Sequence, residues 1–134
     1  MKHIDCVGLI VVENRELLLA FSKNKQAWYL PGGKVDAGES PLEAIQREVM
    51  EELSLELSAD QLQWYYHITA PAFGETDLRM EQDCFLCRLH EAPQPTAEIA
   101  AVRFFSRESY SREAHQVKGV LLAFERLYLD GLVD

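Results

Sequence analysis

Apolar residues fall along this chain in two distinct patterns. Ile4 to Val12 and Leu17 to Phe21 are nearly continuous apolar runs, separated by Glu13-Asn14-Arg15. That predicts two strands joined by a tight turn. Continuous rather than alternating apolarity marks strands covered on both faces, hence a sheet sandwiched by helices. Gln61 to Ala70 alternates instead: Leu62, Trp64, Tyr66 and Ile68 share one face, and Gln63, Tyr65, His67 and Thr69 the other. Arg79 to His90 reads as a further strand, Val102 to Phe105 as a short one, and Pro71 to Asp77 as a loop.

Two segments carry helical spacing. Ser40-Pro41-Leu42-Glu43 is a capping box with proline at the first helical position, followed by the stripe Leu42, Ile45, Val49 and Leu53. A second helix, about Arg112 to Leu129, presents Val117, Val120, Leu121, Phe124, Leu127 and Tyr128 on one side. Gly119 inside it costs about 1 kcal/mol in propensity. Strands, helix, strands, helix: the order predicts a mixed α/β layer fold.

Composition narrows the function classes. The 134 residues carry 13 Lys+Arg against 22 Asp+Glu, a net charge of −9. The length predicts one domain, 1–134. The acidic balance argues against binding a nucleic-acid polymer, which needs a basic face. A phosphate-bearing ligand would have to be attracted by something other than net charge, and a divalent metal held by carboxylates is the obvious candidate. The cysteine count of three gives no disulfide framework, so a reduced cytoplasmic setting is expected. Cys84 and Cys87 sit on a strand pattern three apart and should face opposite sides as core thiols. No apolar run is long enough to span a bilayer, and no targeting signal is visible.

The first helix is strongly acidic on one flank. With Leu42 at zero on a helical wheel, Glu51, Glu48 and Glu52 fall near about 180°, 240° and 280°, beside the buried stripe. Carboxylates crowded this way are either a solvated face or are held by a cation. The preceding loop, Leu30-Pro31-Gly32-Gly33-Lys34-Val35-Asp36-Ala37-Gly38-Glu39, adds three glycines and two acids. Glycines there let backbone approach a ligand closely.

Taken together, Gly33-x5-Glu39-x7-Arg47-Glu48-Val49-x-Glu51-Glu52-x-Ser54-Leu55 resembles the Nudix box, matching eight of nine specified positions over 23 residues. The departure is Ser54, where the family has glycine. If the helix ends there in a left-handed turn, serine costs about 1 kcal/mol. The resemblance implies a Nudix-like α/β/α sandwich with a mixed central sheet and hydrolysis of a nucleoside diphosphate derivative using Mg²⁺ or Mn²⁺. By position it implies Glu48, Glu51 and Glu52 as metal-binding acids, with the Gly32 carbonyl as a backbone ligand. Glu48 or Glu51 is the expected general base. Arg47 is expected to organise the box with Glu39, beside the structural Gly33.

Outside the box the candidates are looser. The strand from Arg79 begins charged on its odd face (Arg79, Glu81, Asp83) and continues apolar. Its end either lines the site, with Arg79 on phosphate and Glu81 or Asp83 as an extra carboxylate, or is simply exposed. Glu98 is a second candidate for that carboxylate. Lys34, together with Lys23 and Lys25, flanks the expected cleft. Trp28 and Phe73, with Tyr65, are candidate platforms for a base or sugar. A small nucleotide, such as a canonical or oxidised (d)NTP, is the favoured substrate. Pro71, 17 positions after Ser54, keeps ADP-ribose or a nucleotide sugar as the alternative. A nucleotide sensor without turnover belongs to another class, as does a partner-binding domain. A homodimer is left open.

Overall fold

The computed structural model describes residues 2–134. Strand β1 (Lys2–Ile10) leads through β2 (Val12–Glu13) into β3 (Glu16–Ser22), with Asn14 and Arg15 at the turn, both with positive φ (51° and 63°). Two such residues in a two-residue loop match the right-handed twist of a hairpin. Strands β4 (Ala27–Tyr29) and β5 (Gly32–Lys34) follow, then helix α1 (Pro41–Leu53). After a 3₁₀ turn at Ala59–Gln61 come β6 (Gln63–Pro71), β7 (Leu78–Leu86) and β8 (Ile99–Phe105). The chain closes with α2 (Arg107–Ser111) and α3 (Lys118–Leu129).

Two four-stranded sheets result. The first runs β5-β1-β7-β6 and is mixed, because β1 lies parallel to β7 while β5 and β6 pair antiparallel. In the second, β3 has β8 on one edge and β2 and β4 on the other, all antiparallel. The expected sandwich is present. Val7 and Leu9 of β1 pack with Ala44, Ile45, Val49 and Leu53 of α1 in one core. Ile10, Ile68 and Cys84 pack with Val117, Val120 and Phe124 around α3 in the other. Cys84 and Cys87 accordingly bury on opposite sides. Ile45, Val49 and Leu53 of α1 each contribute roughly 1.5–3 kcal/mol by burial.

Helix α1 starts where the capping box says. The Ser40 side chain accepts from the Glu43 N–H (3.1 Å), and Glu43 accepts from the Ser40 N–H (2.9 Å). It ends at Ser54 in the left-handed region (φ 56°, ψ 37°), whose N–H donates to the Met50 carbonyl at 3.1 Å. Serine therefore keeps the turn that glycine favours.

Three expectations are corrected. The last helix does not begin at Arg112. A short α2 comes first, capped by Ser106 and Ser109, and α3 begins only at Lys118. The buried Tyr110 hydroxyl accepts the Val117 N–H (2.9 Å) and donates to the Trp28 carbonyl (3.1 Å), pinning the break between them. Strand β6 does not alternate throughout. A bulge between Trp64 and Tyr66 turns Trp64 outward, where its indole donates to Asp83 at 3.0 Å. β7 stops at Leu86 rather than His90. Among the described residues, no helix is long and apolar enough to cross a membrane.

Candidate active site

The glycine loop becomes a strand whose two glycines serve different neighbours. Gly32 pairs with Gly8 and Gly33 with Val7 across the β1–β5 ladder. A Cβ on Gly33 would lie 2.6 Å from the Glu48 carboxyl carbon, so a larger residue there would push that carboxylate off the strand. The Gly32 N–H donates to Glu52 Oε1 at 3.0 Å. Glu52 is 8% exposed, and its pKa is pushed up to about 8, first by burial and then by Glu48, Glu98 and Glu51, with the Gly32 N–H opposing.

Arg47 is the cation that organises the neighbouring acids. Its Nε and Nη2 form a fork on Glu39 (2.6 and 2.9 Å), Nη1 reaches Glu48 (2.8 Å) and, more distantly, Glu51 (3.4 Å), and Nη2 also donates to the Lys34 carbonyl (3.0 Å). Asp36 stands 3.3 Å from the same guanidinium. Bidentate pairs of this kind are strong and directional. The Arg47 bonds, with the Asp36 N–H, hold the Glu39 carboxyl down at about 2. Burial raises Glu48 above the usual carboxylate range, although Arg47 opposes it.

Glu98 is brought here by the loop after β7. The Gln94 and Thr96 N–H groups donate to the Leu53 and Glu52 carbonyls (2.8 and 2.9 Å), and the Thr96 hydroxyl donates to the Glu51 carbonyl. These bonds satisfy the open carbonyls at the end of α1. They also fix the chain two residues before Glu98, which shares a cleft with Glu52. That cleft of about 260 Å³ lies between the two sheets and is lined also by Lys25, Tyr29, Lys34 and Gln82.

The other candidates are elsewhere. Arg79, Glu81 and Asp83 lie on the sheet face opposite Met80 and Gln82, outside the cleft. Arg79 pairs with Glu81 at 2.6 Å, and His67 bridges Glu81 (2.8 Å) and Asp83 (2.9 Å). The charged end of β7 is thus a self-paired surface network. Trp28 also turns away. It packs edge-on against Phe21 and Phe105 at centroid distances of 5.2 and 5.0 Å, under Arg103, while its neighbour Tyr29 faces the cleft. Phe73 stands one ring back, 6.1 Å from Tyr29. Tyr65 bonds Asp130 beyond the end of α3. Sequence reasoning missed Tyr29 and Gln82; strand parity at Trp28 and Glu81 carried the signal for both.

The donor set of Glu48, Glu51, Glu52 and Glu98 is all hard oxygen, which suits Mg²⁺ or Mn²⁺ and not a soft metal. Among the described residues no three His, Cys, Asp or Glu side chains already converge on one point. Glu48 and Glu51 are turned to Arg47 and Glu52 to Gly32. What fits a cation is the charge: Glu48 and Glu51 stand near Glu52, which lines the cleft with Glu98, and among the described residues Arg47 is the one cationic side chain bonded to any of the four, while Lys34 stands beside.

Comparison with known proteins gives relatives in sequence and in fold. An RNA pyrophosphohydrolase of Mesorhizobium japonicum is 30% identical over 108 residues, which span 67% of this chain and 62% of that protein. The chain thus covers less than two thirds of that relative's length. A MutT NUDIX hydrolase from Burkholderia pseudomallei has the same fold, with a TM-score of 0.77 at 20% identity over 95% of this chain and 99% of that one. A bifunctional NMN adenylyltransferase/ADP ribose pyrophosphatase from Francisella tularensis, complexed with AMP and a Mn ion, aligns with a TM-score of 0.68 at 18% identity, covering 97% of this chain and 42% of that one. The NUDIX domain family matches residues 2–123, and the chain belongs to it.

Proposed function

We propose that this protein is a metal-dependent diphosphohydrolase that cleaves the diphosphate linkage of a small nucleotide, a canonical or oxidised (d)NTP being favoured. The observation that carries the reading is a cleft lined by Glu52 and Glu98 together with Lys25 and Lys34, with Glu48 and Glu51 close enough to Glu52 to raise its pKa. Such an excess of acid beside lysines suits a phosphate chain only if a divalent cation stands between them. The manganese and AMP held by the Francisella relative support the same chemistry.

Glu48, Glu51, Glu52 and Glu98, with the Gly32 carbonyl, would hold Mg²⁺ or Mn²⁺. When bound, the metal supplies a Lewis acid for a phosphoryl oxygen and lowers the pKa of bound water. The chain's own groups do the rest. Arg47 fixes Glu39 and Glu48, and through the Lys34 carbonyl the end of β5. Lys34 and Lys25 meet phosphate charge. Glu48, whose carboxyl burial raises, or the exposed Glu51 takes the proton from the attacking water. The sheets shield the cleft floor from bulk water.

The test is phosphate and pyrophosphate release with Mg²⁺ or Mn²⁺ over dNTPs, 8-oxo-dGTP, ADP-ribose, nucleotide sugars and a 5′-triphosphorylated RNA, with Glu51→Gln beside the wild type. Metal-dependent turnover lost in the variant supports the reading, and the best substrate names the class. Nucleotide binding without turnover makes the domain a sensor instead.

A further inference from the structure

The cleft has a second polar feature that the phosphate chemistry does not use. Ser22, Glu52 and Gln82 are buried polar side chains, and all three line this cleft. Glu52 is accounted for by Gly32, and Ser22 caps its own turn by accepting the Lys25 N–H at 3.2 Å. Gln82 is 8% exposed and held only slackly. Its Nε2 is 3.5 Å from the Val7 carbonyl, well beyond the ~2.9–3.0 Å of a good bond. Its Oε1 is 3.9 Å from the Cys84 thiol, a weak donor. A buried carboxamide so loosely bonded has a donor and an acceptor left for something else.

The surroundings keep that amide free. A Cβ on Gly8 would lie 2.9 Å from Nε2, and one on Gly119 would lie 2.9 Å from the Met80 methyl and 3.9 Å from Gln82 Oε1. Glycine in a strand centre and glycine inside α3 are both unfavourable by propensity. Here a side chain on Gly8 would crowd the Gln82 amide directly, while one on Gly119 would crowd its neighbour Met80 and only touch Gln82. The ladder also sets a distance. Cys6 pairs with Lys34 on one side and with Gln82 on the other, so the three stand in one row across adjacent strands. At ~4.8 Å per strand, Lys34 and Gln82 are about 10 Å apart at the backbone. A nucleoside spans a comparable length from its ring edge to its 5′ oxygen.

We propose that Gln82 reads the hydrogen-bonding edge of the nucleobase in this cleft and makes the enzyme selective among bases. The proposal rests on the nucleotide reading above and deepens it. A substrate recognised only through its phosphates has no use for Gln82. A carboxamide offers one donor and one acceptor in a plane, which suits a ring edge with the two in adjacent positions. Such a paired contact discriminates by about 5- to 150-fold.

The experiment measures dissociation constants for the four nucleoside 5′-monophosphates and for inorganic tripolyphosphate, with kcat and KM for the triphosphates in parallel. The variants are Gln82→Met, which keeps length but removes both bonds, and Gln82→Glu, which keeps shape and replaces the donor. Wild type is expected to separate best from worst base within that 5- to 150-fold range, in KM rather than kcat. Gln82→Met is expected to bring the bases within about threefold while tripolyphosphate affinity holds. Gln82→Glu should reorder the bases, and it decides the matter if Gln82→Met loses its cooperative melt. An unchanged base order in the folded variants, or no base preference in wild type, overturns the proposal. Base-selective binding without hydrolysis retires the hydrolase reading and leaves Gln82 in place; base-blind hydrolysis does the reverse. No affinity for any nucleotide overturns both.

Discussion

Two clusters of carboxylates decorate this molecule, and they differ in how their charge is balanced. On the outer face of β6 and β7, Glu81 and Asp83 are matched by Arg79 and His67, with Thr69 and Trp64 supplying further donors. Along α1 and in the loop before it, Asp36, Glu39, Glu48 and Glu51 gather around Arg47, Glu52 lies beside them against Gly32, and Glu98 approaches from another loop. The first cluster closes on itself. The second leaves Glu52 buried against a single backbone N–H with its pKa raised. Carboxylates as such do not mark a site; carboxylates held together without their counter-charge do.

The sharpest way to break this contrast is one neutralising substitution in each cluster. Glu52→Gln should lower turnover by about 10³-fold, if the group contributes ~4 kcal/mol to transition-state stabilisation through a metal. The same change should stabilise the metal-free protein at pH 8–9, by on the order of 2–4 kcal/mol. The sign follows from a folded-state pKa raised from 4.5 to about 8: the carboxyl favours folding while protonated, and that stability is lost as pH rises through the interval. Glu81→Gln should leave kcat/KM within about twofold and lower the melting temperature, because its bonds serve only the sheet. Steady-state kinetics and chemical denaturation of both variants check the pair. Equal effects on activity would erase the distinction.

Arg47→Lys ranks next. Lysine retains the charge but not the fork on Glu39, so metal affinity should fall about 10- to 100-fold, the usual loss for a group that orients ligands. Calorimetric titration with Mn²⁺ measures it. A weaker effect is the pH dependence of the outer network. Glu81 is held at about 2, chiefly by His67, then Thr69 and Arg79; His67 is raised, chiefly by Glu81 and then Asp83. Its contribution to stability is therefore lost as pH falls from 4.5 toward 2, and again as pH rises through the elevated His67 value. Wild type minus His67→Gln, followed by urea denaturation across pH 3–9, should show a plateau from about 4.5 to 6.5. The smallest effect lies at Ser54. Ser54→Gly should raise stability by a few tenths to about 1 kcal/mol with turnover unchanged, since the left-handed strain removed is partly offset by a freer unfolded chain.

What could be read from residue order was local. The box spacing, the Ser40 cap and the α1 stripe lie within one helix and the loop before it, where 3.6-residue geometry turns sequence distance into position. The loop before α1 hid a strand, because β5 exists only by pairing with β1. Glu81 and Asp83 are candidates by strand parity, and Glu98 is a second one whose register Pro93 and Pro95 obscure. Choosing among them takes the bonds from Gln94 and Thr96 to the end of α1, which no periodicity encodes. Trp28 is a candidate by residue type and Tyr29 beside it goes unread, yet strand parity alone decides which ring meets the cleft. Gln82 lies between two acids, so parity sets it on the face opposite them, but the mixed charges and apolar residues of this strand do not say that the face is buried. The break before α3 depends on Tyr110 reaching Trp28, 82 positions away.

The parallel pairing of β1 with β7 has a consequence for when the site comes into being. Lys2 stands opposite Leu78, and every rung of that ladder joins residues 76 positions apart. Closing so long a loop before any contact rewards it slows folding, and β5, with Gly32 and Gly33, is built on the other edge of β1. During synthesis the box helix is complete well before residue 86 emerges, but its acids have no fixed strand to face. The chain's most legible motif is thus among the last parts of it to acquire its working geometry.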